Sequence, residues 1–489
     1  MDFSVILFIF LNLTLWSFQV QSTSIFTASI FSGSNILDTS KIQTAGQYIS
    51  LHQIVRPFTQ LDKQAQITAN AMKSWKVSND GTIFDFKMAD NLLWSDGTPI
   101  TVEEVVKSIN RQIEIKTANH FDFSTIKSIS ILNSKELRIE LKNKNNNFIR
   151  QISYPEFGIV MVKEDLSIDF SKVSGAYNLI ESNNDHFILQ KNKHFPYHTT
   201  SSPEIVRIEW GDSKDKQSKA QKNHLDFFVP FADFNKKTLN DITTDGEYKQ
   251  VTPHIGYSFW LSLNPRSEKL SNINTRKQVQ ALIKRTKFDF DESYPFWIPA
   301  NQIYLPDGLG RPNRNEVENI WDDIVSLNNP LPSGLKLTLL MDSSFPFAQK
   351  IIDQLNSHNI ETTVDWFSPK DNFFEALNKK AYDIIQVRND FSSIDLHENL
   401  QTTFNEKNAL IITSEDDNQF KNELQNALSL ETLEKRSDVY KDIALKIIQK
   451  GYVVPIAYHQ VLFVHKKKYD ISSWSKLFPE ISLWKIKLN

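Results

Sequence analysis

The stretch that decides the fold runs from Trp75 to Arg111. It reads Trp75-Lys76-Val77-Ser78-Asn79-Asp80-Gly81-Thr82, then Phe84-Asp85-Phe86-Lys87-Met88, then Trp94-Ser95-Asp96-Gly97-Thr98-Pro99-Ile100-Thr101, and ends in a helical pattern through Asn110-Arg111. Apolar and charged residues alternate over Phe84–Met88, the period of two that is typical of a half-buried strand. Asn79-Asp80-Gly81 tolerates positive φ, so Trp75–Val77 and Ile83–Met88 are predicted to form a hairpin.

A helix is predicted to follow a second turn at Asp96-Gly97-Thr98-Pro99. Thr101 is followed three residues later by Glu104, which is the arrangement of a capping box. The next apolar residues recur at helical spacing, at Val102, Val105, Val106, Ile109 and Ile113. Taken alone, this order of elements also fits a generic β-β-α unit.

The same segment resembles the signature segment of the family 5 extracellular solute-binding proteins, the oligopeptide- and dipeptide-binding receptors of ABC importers. Further matches follow along the chain in the order of the family. They are Gly175-Ala176-Tyr177, Leu189–Asn192, Leu225–Phe227 with Asn223 where Gly is usual, Phe259–Asn264, Arg276–Arg285 and Val454–Tyr458. The resemblance implies an α/β fold like that of the periplasmic binding proteins, with two lobes, made of three domains, hinged around a ligand cleft.

A second α/β unit is predicted in the C-terminal half of the chain. Its strands are predicted at Leu335–Leu339, Ile360–Phe367 and Tyr382–Val387, and its helices at Ala348–Leu355 and around Phe373, Phe374 and Leu377. Asn359 follows the first of these helices, where a left-handed residue is required. Alternating strands and helices imply a parallel sheet, and ligands of such sheets lie beyond the carboxyl ends of the strands. The unit resembles the second lobe of the same family.

The domain division follows from the resemblance, and 489 residues are enough for two or three domains. We predict a signal peptide at 1–22 and a discontinuous core domain of the first lobe at 23–50, 166–256 and 455–489. A domain inserted into the first lobe is predicted at 51–165, and the second lobe at 257–454.

The N-terminus has the pattern of a targeting segment. Phe3–Trp16 is nearly all apolar but short for a membrane span, and Val20-Gln21-Ser22 fits signal peptidase, so we predict cleavage near Ser22. The segment before it carries Asp2 and no Lys or Arg, so an uncleaved anchor or a misplaced start codon are the alternatives. No cysteine is present to accept a lipid, which predicts a free protein in the periplasm of a two-membrane bacterium.

Composition argues against several classes of protein. The absence of cysteine excludes disulfides, thiol catalysis and cysteine metal sites. The 55 basic and 58 acidic residues are mixed along the chain, so we predict no nucleic-acid partner. No nucleophile elbow, phosphate loop or His-Glu-x-x-His motif is present, and Pro196 breaks the helical spacing of His194 and His198. We therefore predict no enzymatic activity, no cofactor and no metal site.

Binding residues are predicted mainly from the resemblance. Aromatic residues make up 12% of the chain. Tyr257, Trp260, Tyr458 and Trp94 occupy positions where relatives place ligand contacts, and an aromatic wall suits varied ligand side chains. For Trp94 and Trp260, core packing is the alternative interpretation.

The segment 386–395 departs most from the family. Relatives that bind peptides carry a Trp and then an Asp that pairs with the α-amino group of the peptide. Here the Trp is missing, and an alignment without gaps places Ser392 at the position of the Asp. Asp390 replaces that Asp if the loop is shorter, whereas Arg388 makes the site prefer an anionic group. In a third interpretation all three are solvated loop residues.

The function implied is that of a periplasmic receptor that closes two lobes around a peptide. We expect a monomer that delivers oligo- or dipeptides to an ABC permease in the inner membrane. One alternative is a different cargo, such as a sugar, a metal chelate or an opine-like molecule. The other is a non-transport sensor or chaperone that has kept the fold.

Overall fold

A computed structural model describes residues 24–30, 36–42, 44–64, 66–117, 121–230, 234–244, 246–290, 296–304, 310–367, 382–390, 396–404, 411–413, 419–475 and 479–489. The predicted signal peptide at 1–22 lies outside the described residues. So do the predicted helix around Phe373 and the position of Ser392.

The described part of the chain contains both helices and strands. The helices are α1 (Ala45–Ile54), α2 (Val102–Ile115), α3 (Phe148–Gln151), α4 (Ser213–Gln221), α5 (Lys236–Thr244), α6 (Ile273–Lys284), α7 (Arg314–Ser326), α8 (Ala348–Ser357), α9 (Leu396–Thr403), α10 (Gln419–Ala427) and α11 (Leu433–Gln449). The strands are β1 (Ile25–Ile30), β2 (Thr59–Leu61), β3 (Ile67–Ala69), β4 (Met72–Val77), β5 (Ile83–Met88), β6 (Ile126–Asn133), β7 (Glu136–Leu141), β8 (Val160–Val162), β9 (Ile168–Val173), β10 (Tyr177–Ser182), β11 (His186–Lys191), β12 (Ile205–Trp210), β13 (Phe227–Phe228), β14 (Tyr248–Leu263), β15 (Trp297–Pro299), β16 (Lys336–Asp342), β17 (Glu361–Phe367), β18 (Ile384–Asp390), β19 (Val453–Lys466), β20 (Tyr469–Asp470) and β21 (Lys487–Leu488).

The predicted hairpin and capped helix are confirmed. Strands β4 and β5 pair antiparallel, with Trp75 opposite Phe86. Gly81 has φ +68° in the turn between them and Gly97 has φ +87° in the next turn, conformations that a side chain would strain. The hydroxyl of Thr101 accepts from the backbone of Glu104, and the Glu104 side chain accepts from the backbone of Thr101, so α2 begins with a capping box.

The parallel unit of the C-terminal half is also confirmed. Strand β16 pairs parallel with both β17 and β18. Asn359 follows α8 with φ +60°, the left-handed conformation predicted there. The third strand ends later than predicted, because β18 continues to Asp390 in pairing with β14. Arg388 and Asp390 therefore lie on a strand, and their predicted placement in a loop is wrong.

One large mixed sheet runs through the molecule. Its order is β10-β11-β12-β1-β13-β19-β14-β18-β16-β17, and β15 pairs with β19 outside this path. A separate four-stranded sheet has the order β4-β5-β7-β6. The long strands β14 and β19 lie next to each other at the centre of the large sheet and connect its two halves.

The three largest hydrophobic cores of the described residues hold these sheets and helices together. The large core draws on residues from Ala220 to Val464, including β14, β16, β18 and β19. The second core combines β1, α1 and β10–β13 with the C-terminal segment. The third core fills the domain of the four-stranded sheet, between Phe58 and Ile159. Strands β14 and β19 each contact both the large and the second core. The domain boundaries predicted at 257 and 454 fall within or at the ends of these continuous strands, and they stay a prediction.

Two further observations concern only the part of the chain that the structure describes. None of its helices is both long and apolar enough to cross a membrane. Within the same residues, no three His, Cys, Asp or Glu side chains are grouped so that they could hold a metal ion.

Candidate functional site

Tyr257 marks the junction between the two halves of the large sheet. It is half-buried and packs against both the large core and the second core. In the sheet its backbone lies opposite Asp390 of β18 on one side and opposite His459 of β19 on the other. The carboxyl end of β18 lies at this edge of the sheet, where ligands of open α/β sheets bind. The region around Tyr257 is therefore the candidate binding site.

Arg388 lies beside Tyr257 and is exposed. Its guanidinium carbon is 5.6 Å from the centre of the Tyr257 ring, within the range of a cation–π contact. Arg111, Arg138 and Arg314, by contrast, each pair with a carboxylate. Among the described residues, none forms an ion pair or a hydrogen bond with the Arg388 guanidinium. Its donors are thus available to an anionic ligand.

His459 is the neighbour of Tyr257 that the sequence analysis missed. Burial, and secondarily the charge of Arg388, lower the pKa of His459 from 6.5 to about 3. Its ring is 6.1 Å from the Tyr257 ring and 5.1 Å from the Trp297 ring. Its Nε2 is buried and has no hydrogen-bond partner among the residues that the structure describes. A neutral, buried imidazole therefore lies near Arg388. The sequence signal for it is weak, because His459 is one of two histidines in the otherwise mostly apolar strand β19.

Buried aromatic side chains of the large core pack behind His459. The Phe259 ring is 4.4 Å from Trp297 and 5.7 Å from Phe345, with the two phenylalanine rings nearly parallel. The Trp297 ring is also 5.6 Å from the ring of Phe347. Phe345 and Phe347 follow the carboxyl end of β16. Trp297, Phe345 and Phe347 were not predicted from the sequence, because β15 and the end of β16 match no element quoted for the family. Phe259 lies in a quoted element but was not proposed as a ligand contact.

Trp260 and Tyr458 occupy buried positions. Trp260 is 0% exposed within the large core. The Tyr458 hydroxyl lies 2.8 Å from the carbonyl oxygen of Gln302 and 2.9 Å from that of Tyr304. Both residues therefore support the sheet in this structure, and the ligand contacts predicted for them stay predictions.

Trp94 belongs to a different part of the molecule. It is 1% exposed in the third core, and its Nε1 donates a hydrogen bond to Glu104 Oε2 at 3.2 Å. The structure thus brings Tyr257, Arg388 and the backbone of Asp390 together and leaves Trp94 in a separate core. Its predicted ligand contact stays a prediction.

A cavity of about 330 Å³ lies at the opposite end of the β14–β18 pair. Asp383 lines it, and its Oδ2 accepts from Lys269 Nζ at 2.8 Å and from the Thr338 backbone at 2.7 Å. These partners tie the start of β18 to its neighbours. Asp383, in the strand predicted at Tyr382–Val387, therefore has a structural role here.

Residues 66–288 match the family described as bacterial extracellular solute-binding proteins, family 5 Middle. The match covers somewhat less than half of the chain and makes these residues similar to the solute-binding proteins of that family.

Curated relatives and solved structures are similar to different extents. The glutathione-binding protein GsiB of Escherichia coli strain K12 is 23% identical over 237 residues, which are 46% of this chain and 45% of that protein. The match thus spans about half the length of that relative.

Two solved structures share the fold over nearly the whole chain. NikA from Brucella suis in complex with Fe(III)-EDTA has a TM-score of 0.78 at 14% identity, covering 94% of this chain and 100% of that one. A dipeptide-binding protein from Pseudoalteromonas sp. SM9913 in complex with Met-Leu has a TM-score of 0.77 at 13% identity, covering 95% and 100%. At such low identity these likenesses establish the fold alone.

Proposed function

We propose that the chain is the substrate-binding protein of an ABC importer and binds a peptide, or a related small solute, through a free carboxylate. Arg388 is the anchor of that carboxylate, and Tyr257 holds the guanidinium in place. The observation that carries this proposal is the exposed guanidinium beside Tyr257, which has no anionic partner among the described residues. A guanidinium binds a carboxylate with two parallel hydrogen bonds.

The ligands named for the three similar proteins share this chemistry. Glutathione, Met-Leu and EDTA each carry carboxylates, although one is a tripeptide, one a dipeptide and one a metal chelator. A site that recognises the carboxylate and makes few specific contacts with the rest of the solute accommodates such variety. Peptides remain the preferred class, because the quoted sequence elements resemble those of the peptide-binding receptors.

The location and partners belong to the same proposal. The protein acts in the periplasm after cleavage near Ser22, as a monomer that delivers its solute to a permease in the inner membrane. The proposal also includes the division into a first lobe with an inserted domain and a second lobe at 257–454. Closure of the lobes around the solute is the step that the permease recognises.

A set of matched ligands tests the anchor. Thermal unfolding and calorimetry compare Met-Leu, N-acetyl-Met-Leu, Met-Leu amide, glutathione and Fe(III)-EDTA. A ligand that binds only the native state at a hundredfold excess over Kd stabilises it by about 2.7 kcal/mol. We expect Met-Leu and N-acetyl-Met-Leu to bind and the amide, which lacks the carboxylate, to fail.

Two outcomes contradict the proposal. If the amide binds as well as Met-Leu and the acetylated peptide does not, the amine is the recognised group and Asp390 is the anchor. If none of the five compounds shifts the melting temperature, the carboxylate hypothesis loses its support. Mass spectrometry of solute released from gently purified protein then identifies the cargo directly.

A further inference from the structure

A short loop in the domain of the third core contains three consecutive asparagines with different partners. We call residues Asn143–Asn147 the asparagine loop; it lies between β7 and α3. Asn145 Oδ1 accepts from the backbone N–H of Asn147 at 2.9 Å, and Asn145 Nδ2 donates to Gln151 Oε1 at 2.8 Å. The Asn147 carbonyl accepts from the Gln151 backbone at 3.1 Å. The backbone on both sides of Asn146 is thus held within its own domain.

Asn146 itself makes contact with the other lobe. Its backbone N–H donates to the carbonyl oxygen of Leu428 at 3.3 Å. Its side-chain Nδ2 donates to the carbonyl oxygen of Leu430 at 2.6 Å, across 284 positions of sequence. Leu428 and Leu430 connect α10 with α11, whose buried residues belong to the large core. These two hydrogen bonds therefore join the inserted domain to the second lobe.

The acceptor side of this contact is also held in place. The Leu430 backbone donates to Ala427 at 3.0 Å, and the Leu428 backbone donates to Gln425 at 3.3 Å. The Leu430 carbonyl accepts a second bond from Arg436 Nη1 at 3.4 Å. Each of the two segments that meet at Asn146 is thus held in place by hydrogen bonds of its own.

The contact lies away from the strands that connect the lobes. Strands β14 and β19 pass from one core to the other, and irregular pairing in β14 at Val251/His254 and Ile255/Tyr257 interrupts their ladder there. Neither strand takes part in the Asn146 contact. A rotation of the lobes about β14 and β19 must therefore break the bonds of Asn146.

We propose that the lobes are in their closed arrangement in this structure, and that Asn146 is a positioning residue whose two hydrogen bonds form an interlobe clasp that favours this arrangement. Apparent affinity for any solute scales with the population of the binding-competent state, so the clasp raises affinity without touching the solute. This inference goes beyond the proposed function, because it does not depend on which solute binds or on the role of Arg388.

The substitution Asn146→Asp tests the side-chain bond with little change of shape. It replaces the Nδ2 donor by a carboxylate oxygen that faces the Leu430 carbonyl. Loss of one hydrogen bond corresponds to roughly a three- to tenfold change in an equilibrium constant. Asn143→Asp is the matched control, since Asn143 is exposed in the same loop and the charge change is identical. Asn146→Ala is a second variant, which removes the donor without adding charge.

Single-molecule fluorescence resonance energy transfer measures the distance between the two lobes in the full chain without added solute. The chain has no cysteine, so Lys76→Cys in β4 and Lys350→Cys in α8, both exposed, provide one label on each lobe. Circular dichroism and melting curves establish that each variant is folded. We expect Asn146→Asp and Asn146→Ala to increase the open-to-closed ratio at least threefold, and Asn143→Asp to leave it unchanged.

Two results overturn the clasp. If the energy-transfer distributions of both Asn146 variants coincide with that of wild type, the two hydrogen bonds do not favour the closed arrangement. An equal shift in Asn143→Asp and Asn146→Asp, with none in Asn146→Ala, assigns the effect to loop charge. Since no solute is added, failure of the ligand set and failure of the clasp are separate outcomes.

Discussion

The guanidinium carbon of Arg388 lies 5.6 Å from the centre of the Tyr257 ring, at the point where the two large cores of the molecule meet. The two residues come from strands that pair antiparallel, β14 and β18. The aromatic ring restricts the position of the guanidinium, and no described carboxylate pairs with it. A charge that is oriented but not neutralised suits the recognition of an anionic group.

The first prediction concerns the anchor. Arg388→Ala is expected to weaken Met-Leu binding by about 1.5–3 kcal/mol, because a charge-assisted hydrogen-bonding partner of the carboxylate is lost. Isothermal titration calorimetry measures the change. Arg314→Ala is the control, since Arg314 is exposed on α7 and pairs with Glu318. Affinity that falls in Asp390→Ala but not in Arg388→Ala would contradict the assignment.

The second prediction concerns Glu104, whose Oε2 accepts from the Thr101 backbone at 2.8 Å and from Trp94 Nε1 at 3.2 Å. Glu104→Ala removes a helix cap and leaves the indole N–H of a buried tryptophan unpaired. Destabilisation of about 1–3 kcal/mol is expected in denaturant unfolding followed by fluorescence. Glu103→Ala, exposed in the same helical turn, should change stability by less than about 0.5 kcal/mol. Equal effects of the two variants would refute the shared acceptor.

A third prediction concerns Asn359, which follows α8 with φ +60°. A residue with Cβ and no local polar group pays about 1–2 kcal/mol in this conformation, whereas glycine does not. Asn359→Ala should therefore lower the free energy of unfolding by about 1 kcal/mol, and Asn359→Gly should leave it nearly unchanged. Differential scanning calorimetry of wild type, Asn359→Ala and Asn359→Gly at one pH gives the order of their stabilities. If alanine is tolerated as well as glycine, the backbone at this position is not left-handed in solution.

The fourth prediction is the pH dependence contributed by His459. Burial, and then the charge of Arg388, lower the pKa of His459 from 6.5 to about 3 in the folded protein. As pH falls from 6.5 toward 3, the unfolded chain takes up a proton that the native protein does not. Stability is therefore complete above pH 6.5 and is lost on acidification, by up to about 1.4 kcal/mol per pH unit.

The variant His459→Gln has no such proton to bind. Between pH 6.5 and 4 its free energy of unfolding should fall less steeply than that of wild type. Other histidines with lowered pKa, such as His52 and His198, remain in both proteins, so their contributions cancel in the comparison. His224→Gln, at an exposed position, serves as the control. Parallel slopes for wild type and His459→Gln would mean that the imidazole is not buried.

Local features were predictable from sequence because their causes are local. The turn at Gly81, the capping box of Thr101 and the left-handed Asn359 each depend on the backbone within a few residues. The parallel order of β16, β17 and β18 follows from the alternation of strands and helices. The extent of β18 was not predictable, because Arg388 and Asp390 become strand residues only through pairing with Tyr257 and Phe259, far away in sequence.

The amino-acid sequence by itself indicated the resemblance to the solute-binding proteins, the class of fold and the approximate positions of β14, β18 and β19. Periodicity and turn chemistry act over short distances, and they are written in consecutive residues. Only the tertiary structure decided which side chains share the junction. It placed Arg388, Tyr257 and His459 together and Trp94 in a separate core. Such neighbours come from strands more than sixty residues apart, so their contacts arise from sheet register and packing and leave no pattern in the chain.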